Sequence, residues 1–393
     1  MNSKLNFVIP WYGDNIPGGA ESLCRGVVKA LIGSGCSVEI LTTCVQQFTS
    51  DWNLNFHPEG RTVEGGVPVR RFAVRTRDVA RFDQVNYKLI HNLPITPEEE
   101  QVFVEEMINS PALYEYIDRN RNEVFFFVPY MFGTTYWGSM VCPERSILIP
   151  CLHDEAYARM QPFRNMCERV RGLVFNSIEE QRLAQRLYSL NPDRLAVVGV
   201  PVNCDWNSDP RRFQRKYGIS NFFLYAGRTE KGKGADLLVD YYCRFLDDTQ
   251  RQEQLVFIGG GELDIPQRYQ SRILKLGFLP VQDKYDAYAA ATALCVPSIM
   301  ESFSIVTMES WLAGRPVVVN AQCAVTKDFC LESNGGLYFS DYAEFREILV
   351  TLAGDPELCT TLGVNGGQYV LRNFHPRAIA QNYIRSLEFW EFG

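Results

Sequence analysis

The sequence predicts an α/β protein made of two doubly wound, parallel-sheet domains, and three features carry that prediction. Short apolar runs with strand character alternate with helical patterns from end to end, the rhythm of parallel sheets covered by helices on both faces. At 393 residues the chain exceeds what one hydrophobic core ordinarily serves, so two cores of somewhat under about 200 residues each are expected. The rhythm pauses in the turn-rich stretch Gly199-Val200-Pro201-Val202-Asn203-Cys204-Asp205-Trp206-Asn207-Ser208-Asp209-Pro210, and a hinge is placed there. The expected division is 1–200 and 201–375, with 376–393 a C-terminal helix packing back on the first domain. In such folds ligands sit outside the carboxyl ends of the strands, here in a cleft between the domains.

The elements follow in order. Leu5 to Pro10 reads as a strand, Glu21 to Ser34 as a helix and Ser37 to Thr42 as the next strand. Thr96 to Asp118, acidic at first and then rich in Tyr and Leu, reads as helix. Further strands are expected at Glu123 to Val128, Ser146 to Ile149, Gly172 to Phe175 and Leu195 to Val198. Beyond the hinge the rhythm restarts with Phe222 to Ala226, a helix from Ala235 to Leu246, and strands at Leu255 to Ile258, Ile273 to Leu276 and Ala293 to Val296. Ile305 to Ala313 is a helix stopped by Gly314, with Pro316 beyond it opening a strand to Val319.

Composition narrows the function. A net charge of −7 and a pI near 5.4 argue against a nucleic-acid binder, which carries a basic surplus. The 12 cysteines are scattered, without a C-x-x-C pair, and read as reduced, mostly buried thiols of a cytoplasmic protein. No secretion signal precedes the first strand. The most apolar segment, Val124 to Phe132, is far short of the roughly 20 residues that span a bilayer. Arg70, Arg71, Arg75, Arg77 and Arg81 crowd one stretch together with Phe72 and Phe82. They read as a solvated face, or alternatively as a patch for a phosphate-bearing acceptor or for anionic lipid headgroups, the latter giving peripheral contact with the inner face of a membrane.

Several glycine-rich turns follow predicted strands. Gly13 to Glu21 opens the first helix, with Gly18 and Gly19 letting backbone approach a ligand. Gly227-Arg228-Thr229-Glu230-Lys231-Gly232-Lys233-Gly234 nearly spells a P-loop, but Gly234 stands where a magnesium-ligating Ser or Thr belongs. A nucleoside triphosphatase is therefore disfavoured. What survives is electrostatic: Arg228 offers a planar fork and Lys233 a point charge for a diphosphate, with Lys231 the competing lysine. Gly259-Gly260-Gly261-Glu262 and Gly277-Phe278-Leu279-Pro280 could line a nucleotide pocket. His153 lies just past a strand end beside Asp154 and Glu155. No hydrolase elbow, zinc-protease helix or dinucleotide fingerprint accompanies it. Finally, Glu301 and Glu309 flank a strand-to-helix junction, where ionised carboxylates suit sugar hydroxyls and the first helical amides suit an anion.

Together these motifs resemble glycosyltransferase family 4, the retaining GT-B enzymes with two Rossmann-like domains that use nucleotide-sugar donors. The likeness covers nearly the whole chain. Its most specific part is Pro297-Ser298-Ile299-Met300-Glu301-Ser302-Phe303-Ser304-Ile305-Val306-Thr307-Met308-Glu309, which matches the family's E-x7-E signature. The resemblance implies that Glu309 bonds the donor ribose and Glu301 the transferred sugar. Ser302, Phe303, Ser304 and Ile305 would offer backbone amides, Arg228 and Lys233 would hold the leaving diphosphate, and Gly18 and Gly19 would adjoin the phosphates. Phe278 falls where the base packs, Gly260 lines the donor site, and His153 corresponds to the histidine near the anomeric centre. Ser304 replaces the family's usual glycine, the Arg228–Lys233 spacing is short, and Pro201 occupies a hinge position often filled by glycine.

The implied activity is metal-independent, cofactor-free transfer of a hexose-type sugar, with retention, from a UDP- or GDP-linked donor to a glycan, lipid-linked or small-molecule acceptor in bacterial-type glycan or glycoconjugate synthesis. The first domain would serve the acceptor and the second the donor. The rival readings are a GT-B sugar-nucleotide epimerase and a non-catalytic nucleotide-sugar binder.

Overall fold

A computed structural model describes residues 3–14, 16–229 and 231–392. The chain divides into two compact units, Met1–Pro201 with Pro376–Gly393, and Val202–His375.

The first unit is built on strands β1 (Leu5–Ile9), β2 (Val38–Thr43), β3 (Gly60–Glu64), β4 (Val67–Phe72), β5 (Val124–Phe127), β6 (Ser146–Leu148), β7 (Gly172–Phe175) and β8 (Leu195–Val197). Among the described residues they form an eight-stranded sheet in the order β3-β4-β2-β1-β5-β6-β7-β8. All neighbours are parallel except β3 and β4. The strands β1, β2, β5, β6 and β7 are buried along their whole length, as expected of strands covered by helices on both faces. Phe103, Phe125, Phe127 and Phe163 lie in the core of this unit. The helix Pro376–Phe389 belongs to the unit, and Trp390 after it caps Gly172 and receives the Arg171 guanidinium on its carbonyl at 2.9 Å.

The first unit differs from the sequence expectation in two places. The span Thr96 to Asp118 is two helices, Pro97–Glu106 and Pro111–Arg119. Met107 and Ser110 are extended, because Pro111 cannot donate into a preceding turn and biases the residue before it away from helix. The arginine-rich stretch begins inside an unexpected antiparallel hairpin, β3–β4, turned by Gly65 and Gly66 at positive φ. Its outer strand, Gly-Arg-Thr-Val-Glu, is exposed and carries no apolar run to betray it.

The arginines have partners within the unit. Arg71 pairs with Glu64 at 2.5 Å and bonds the Tyr12 carbonyl at 2.8 Å. Arg70 pairs with Glu39, and Arg75 and Arg81 both reach Glu106. Arg77 lies over the rings of Trp52 and Phe82, 4.8 Å from each centroid. No described helix is long and apolar enough to cross a membrane.

Among the described residues the second unit is built on a six-stranded parallel sheet of β9 (Phe222–Ala226), β10 (Gln254–Ile258), β11 (Ile273–Gly277), β12 (Leu294–Val296), β13 (Val317–Asn320) and β14 (Gly336–Phe339). Its order, β11-β10-β9-β12-β13-β14, is the doubly wound arrangement in which the connection reverses between two central strands. Here those strands are β9 and β12, and ligands of such sheets bind at the loops leaving this reversal point.

Candidate active site

The loops leaving β9 and β12 are the two that sequence reasoning singled out most strongly. Gly227 leaves β9 at φ 150° and its amide bonds the Ile258 carbonyl at 3.0 Å, while Thr229 N reaches Gly260 O at 2.9 Å. The loops after β9 and β10 are thereby zipped together. Gly234, at φ 70°, ends the first loop, and a Cβ there would stand 2.7 Å from the Pro297 carbonyl oxygen. Ser298 Oγ adds a bond to the Lys233 carbonyl at 3.3 Å. Close backbone approach at Gly234 therefore seats the basic loop on the Pro297–Ser304 turn.

This seating brings Lys233 and Glu301 together, Nζ to Oε1 at 2.9 Å. Arg228 is exposed on the same loop, its carbonyl accepting from Tyr225 OH at 2.6 Å. The Lys231 side chain and Glu230 lie outside the described residues. Phe303 is buried and packs edge-on against Phe329 and Phe374, which anchors the turn. Ser302 and Ile305 are half-buried beside it.

Ser304 is the residue before the helix Ile305–Leu312 and adopts φ 74°, ψ 76°. An L-residue in the left-handed region costs roughly 1–2 kcal/mol relative to its ordinary conformation, so the chain holds strain where a glycine would hold none. The serine hydroxyl offsets part of this by meeting Thr307 Oγ1 at 3.0 Å. It makes no side-chain cap, so the serine hydroxyl does not engage the first helical amides and the positive dipole end they carry.

Glu309, buried on the same helix, is engaged by two groups that sequence reasoning missed. Lys284 Nζ lies 2.6 Å from Oε1, and Tyr288 OH donates to Oε2 at 2.9 Å. Neither carries a sequence signal, since both stand more than twenty positions away on the helix Val281–Ala290. Phe278 is 71% exposed, yet its ring lies against Gly260, where a Cβ would come within 2.4 Å of it. An aromatic face held this way, close to the zipped loops, can stack on a planar base. Among the described residues no three His, Cys, Asp or Glu side chains are grouped to hold a metal ion.

In the first unit the glycine turn after β1 carries its own carboxylate. Gly18 has φ 149°, and Glu21 Oε2 sits 1.8 Å from where its Cβ would be. Trp11 Nε1 donates to Glu21 Oε1 at 2.5 Å. A side-chain anion thus already occupies the end of the helix Gly19–Gly33, a feature visible in the sequence only as an acidic residue in a first turn.

His153, one of four histidines, lies past β6 with Nδ1 4.0 Å from Glu155 Oε1. Glu155 accepts from Tyr130 OH at 3.0 Å, and burial raises its carboxyl above the usual range. A cavity of about 620 Å³ opens beside this loop, lined by Leu93, Ile95, Glu100, Asp154, Glu155 and Met160 among others. The loop is tied down by Glu180, a fully enclosed carboxyl that accepts from Leu152 N and Asn176 N, each at 2.6 Å.

Burial lifts the Glu180 carboxyl to about 8, against the pull of those amides. An unfolded glutamate titrates near pH 4.3, so between there and about pH 8 the folded state holds a proton that the unfolded state has released. Stability therefore falls as pH rises through that window. Urea melts at several pH values should show the decline in the wild type and a flatter profile in Glu180→Gln.

The glycosyl transferases group 1 family matches residues 220–355, which span the loops leaving β9, β10 and β12. The chain carries a group 1 glycosyl transferase domain. The family 4 resemblance read from Glu301 and Glu309 thus rests on a recognised domain. Similar curated proteins include D-inositol 3-phosphate glycosyltransferases. That of Corynebacterium efficiens is 28% identical over 248 residues, 58% of each chain. That of Corynebacterium aurimucosum is 31% identical over 169 residues, 38% of this chain and 40% of the relative. The chain spans no more than 58% of the length of these curated relatives.

Solved structures extend the likeness of fold to both units. Sucrose-phosphate synthase from Thermosynechococcus elongatus superposes with TM-score 0.73 at 16% identity, covering 98% of each chain. Anabaena HepE in complex with UDP and glucose gives 0.68 at 17% identity, covering 98% of this chain and 100% of the other. The fold class is GT-B, with the glycosyl transferase domain as its C-terminal part.

Proposed function

We propose that the protein transfers a hexose-type sugar from a nucleoside diphosphate donor to an acceptor hydroxyl, with retention of anomeric configuration and without a metal. The observation that carries this reading is the meeting of Lys233 and Glu301 at 2.9 Å where the β9 and β12 loops converge. There a cation for the leaving diphosphate and a carboxylate for sugar hydroxyls are held side by side. As the glycosidic C–O bond breaks, negative charge grows on the diphosphate. Arg228, Lys233 and the amides at the start of Ile305–Leu312 supply preorganised positive potential to it, which lowers the barrier.

In this reading the acceptor arrives on the face the diphosphate leaves and gives its proton to the departing phosphate. Glu309 takes the ribose and Phe278 stacks on the base. In the first unit, the cavity beside His153 offers carboxylates and apolar side chains suited to a polyhydroxylated acceptor. HepE was captured with UDP-glucose and E. coli trehalose-6-phosphate synthase with UDP-2-fluoro glucose, which favours a UDP-linked donor over a GDP-linked one.

The test is nucleotide release from UDP- and GDP-hexoses, in chelator, with and without a panel of glycan, lipid-linked and small-molecule acceptors. Acceptor-dependent release with an α-linked product from an α-linked donor is expected. Acceptor-independent conversion of the sugar would instead mark an epimerase, and binding without turnover a sensor.

A further inference from the structure

Glu309 is gripped from two sides by one helix. Lys284 and Tyr288 are four residues apart on Val281–Ala290, so they lie on the same helical face. The ammonium reaches Oε1 from the half-exposed side, and the phenol reaches Oε2 from a fully buried position. That helix cannot readily shift, because each of four consecutive residues has a partner in another element. Asp283 binds Lys216 and Tyr217, Lys284 binds Glu309, Tyr285 stacks on Trp206 at 4.0 Å, and Asp286 binds Arg212 and the Asp209 amide.

An ionised carboxylate has about four acceptor sites. Lys284 and Tyr288 use one on each oxygen, which leaves about one on each for a ligand. Two acceptors at fixed separation match two vicinal hydroxyls. We propose that Lys284 is a positioning residue that fixes Glu309 for the 2′ and 3′ hydroxyls of the donor ribose, with Tyr288 as its buried counterpart. This rests on the assignment of Glu309 to the ribose. Lys284 thereby sets the enzyme's preference for ribonucleotides, and its loss falls on donor KM more than on kcat.

The experiment measures binding of UDP, GDP and their 2′,3′-dideoxy counterparts to the full chain, with Lys284→Met, Lys284→Arg and Tyr288→Phe beside the wild type. The wild type should bind its preferred ribonucleoside diphosphate at least about tenfold more tightly than the dideoxy form, the size expected of charge-assisted hydrogen bonds. In Lys284→Met that ratio should collapse to within about threefold, with dideoxy affinity unchanged. Lys284→Arg should restore it and Tyr288→Phe should lower it partway.

Full retention of the ratio in Lys284→Met would overturn the positioning role while leaving the donor site intact. Equal loss of both ligands would overturn it as well, as a general structural effect. Absence of any nucleoside diphosphate binding by the wild type would remove the donor-site reading along with it. Lys284 is half-exposed, so the variants retain the core, and the arginine variant separates loss of charge from loss of fold.

Discussion

Lys233→Ala should lower turnover by about 10²- to 10³-fold while the protein stays folded. That range is typical of removing one preorganised donor aimed at charge that develops in the transition state. The fold should survive because the loop carrying Lys233 is held by backbone rather than by its ammonium. Gly234 lies against Pro297, Thr229 N bonds Gly260 O, and Ser298 Oγ bonds the Lys233 carbonyl. The Lys233–Glu301 pair is partly open to solvent, with the lysine side chain 30% exposed. Its loss costs about 1 kcal/mol of stability or less, well below the effect on rate.

Glu301 makes the expectation sharper. Without the ammonium it remains beside the diphosphate as an unneutralised charge, so kcat should fall more than donor affinity alone requires. The check is kcat and KM with a UDP-hexose, alongside thermal melting. A rate near wild type in a folded variant would assign the diphosphate to another cation, and Lys231→Ala is the companion that separates the two lysines.

The parts of this site that were legible in the sequence are those encoded over short spans. The loop Gly227–Gly234 and the Pro297–Glu309 turn each sit between a buried strand and a helix, and a glycine in positive φ or a carboxylate at fixed spacing leaves a local mark. The partners of those residues leave none. Lys284 and Tyr288 meet Glu309 only because the helix Val281–Ala290 packs beside Ile305–Leu312, a fact of sheet order rather than of spacing. Glu180 reaches Leu152 across 28 positions and looks like any acid in a helical first turn.

Polarity hid other features. Strand β3 carries no apolar alternation because both its faces are exposed, and the split of Thr96–Asp118 depended on weighing Pro111 above a run of good helix formers. The arginine cluster shows the same limit from the other side. A run of charges reads as a surface, whereas Arg71 is buried against Glu64 and the Tyr12 carbonyl.

The glycines after β10 provide the largest expected effect on stability and a way to separate scaffold from ligand contact. At Gly259, φ is 119° and an added Cβ would lie 2.0 Å from the Gly227 carbonyl oxygen and 2.8 Å from its carbon. Both obstacles are backbone, and neither can rotate away. Forced φ costs about 1–3 kcal/mol and overpacking costs about 1–3 more. Gly259→Ala should therefore lose about 2–6 kcal/mol, a large share of the 5–15 kcal/mol that typically holds a domain folded. Denaturant midpoints would register it, and any surviving folded protein should have a displaced Arg228 loop.

Gly260→Ala places its methyl 2.4 Å from a Phe278 ring carbon instead. That ring is 71% exposed and can swing outward, so stability should change by no more than about 0.5 kcal/mol. Nucleoside diphosphate affinity should nevertheless fall roughly tenfold, because base stacking on an aromatic ring is worth about 1–3 kcal/mol. Adjacent glycines, one methyl each, thus divide between holding the loop and presenting the base platform. If Gly260→Ala instead bound nucleotide as tightly as the wild type, Phe278 would lose its place in the donor site while the convergence of Lys233 and Glu301 stood unchanged.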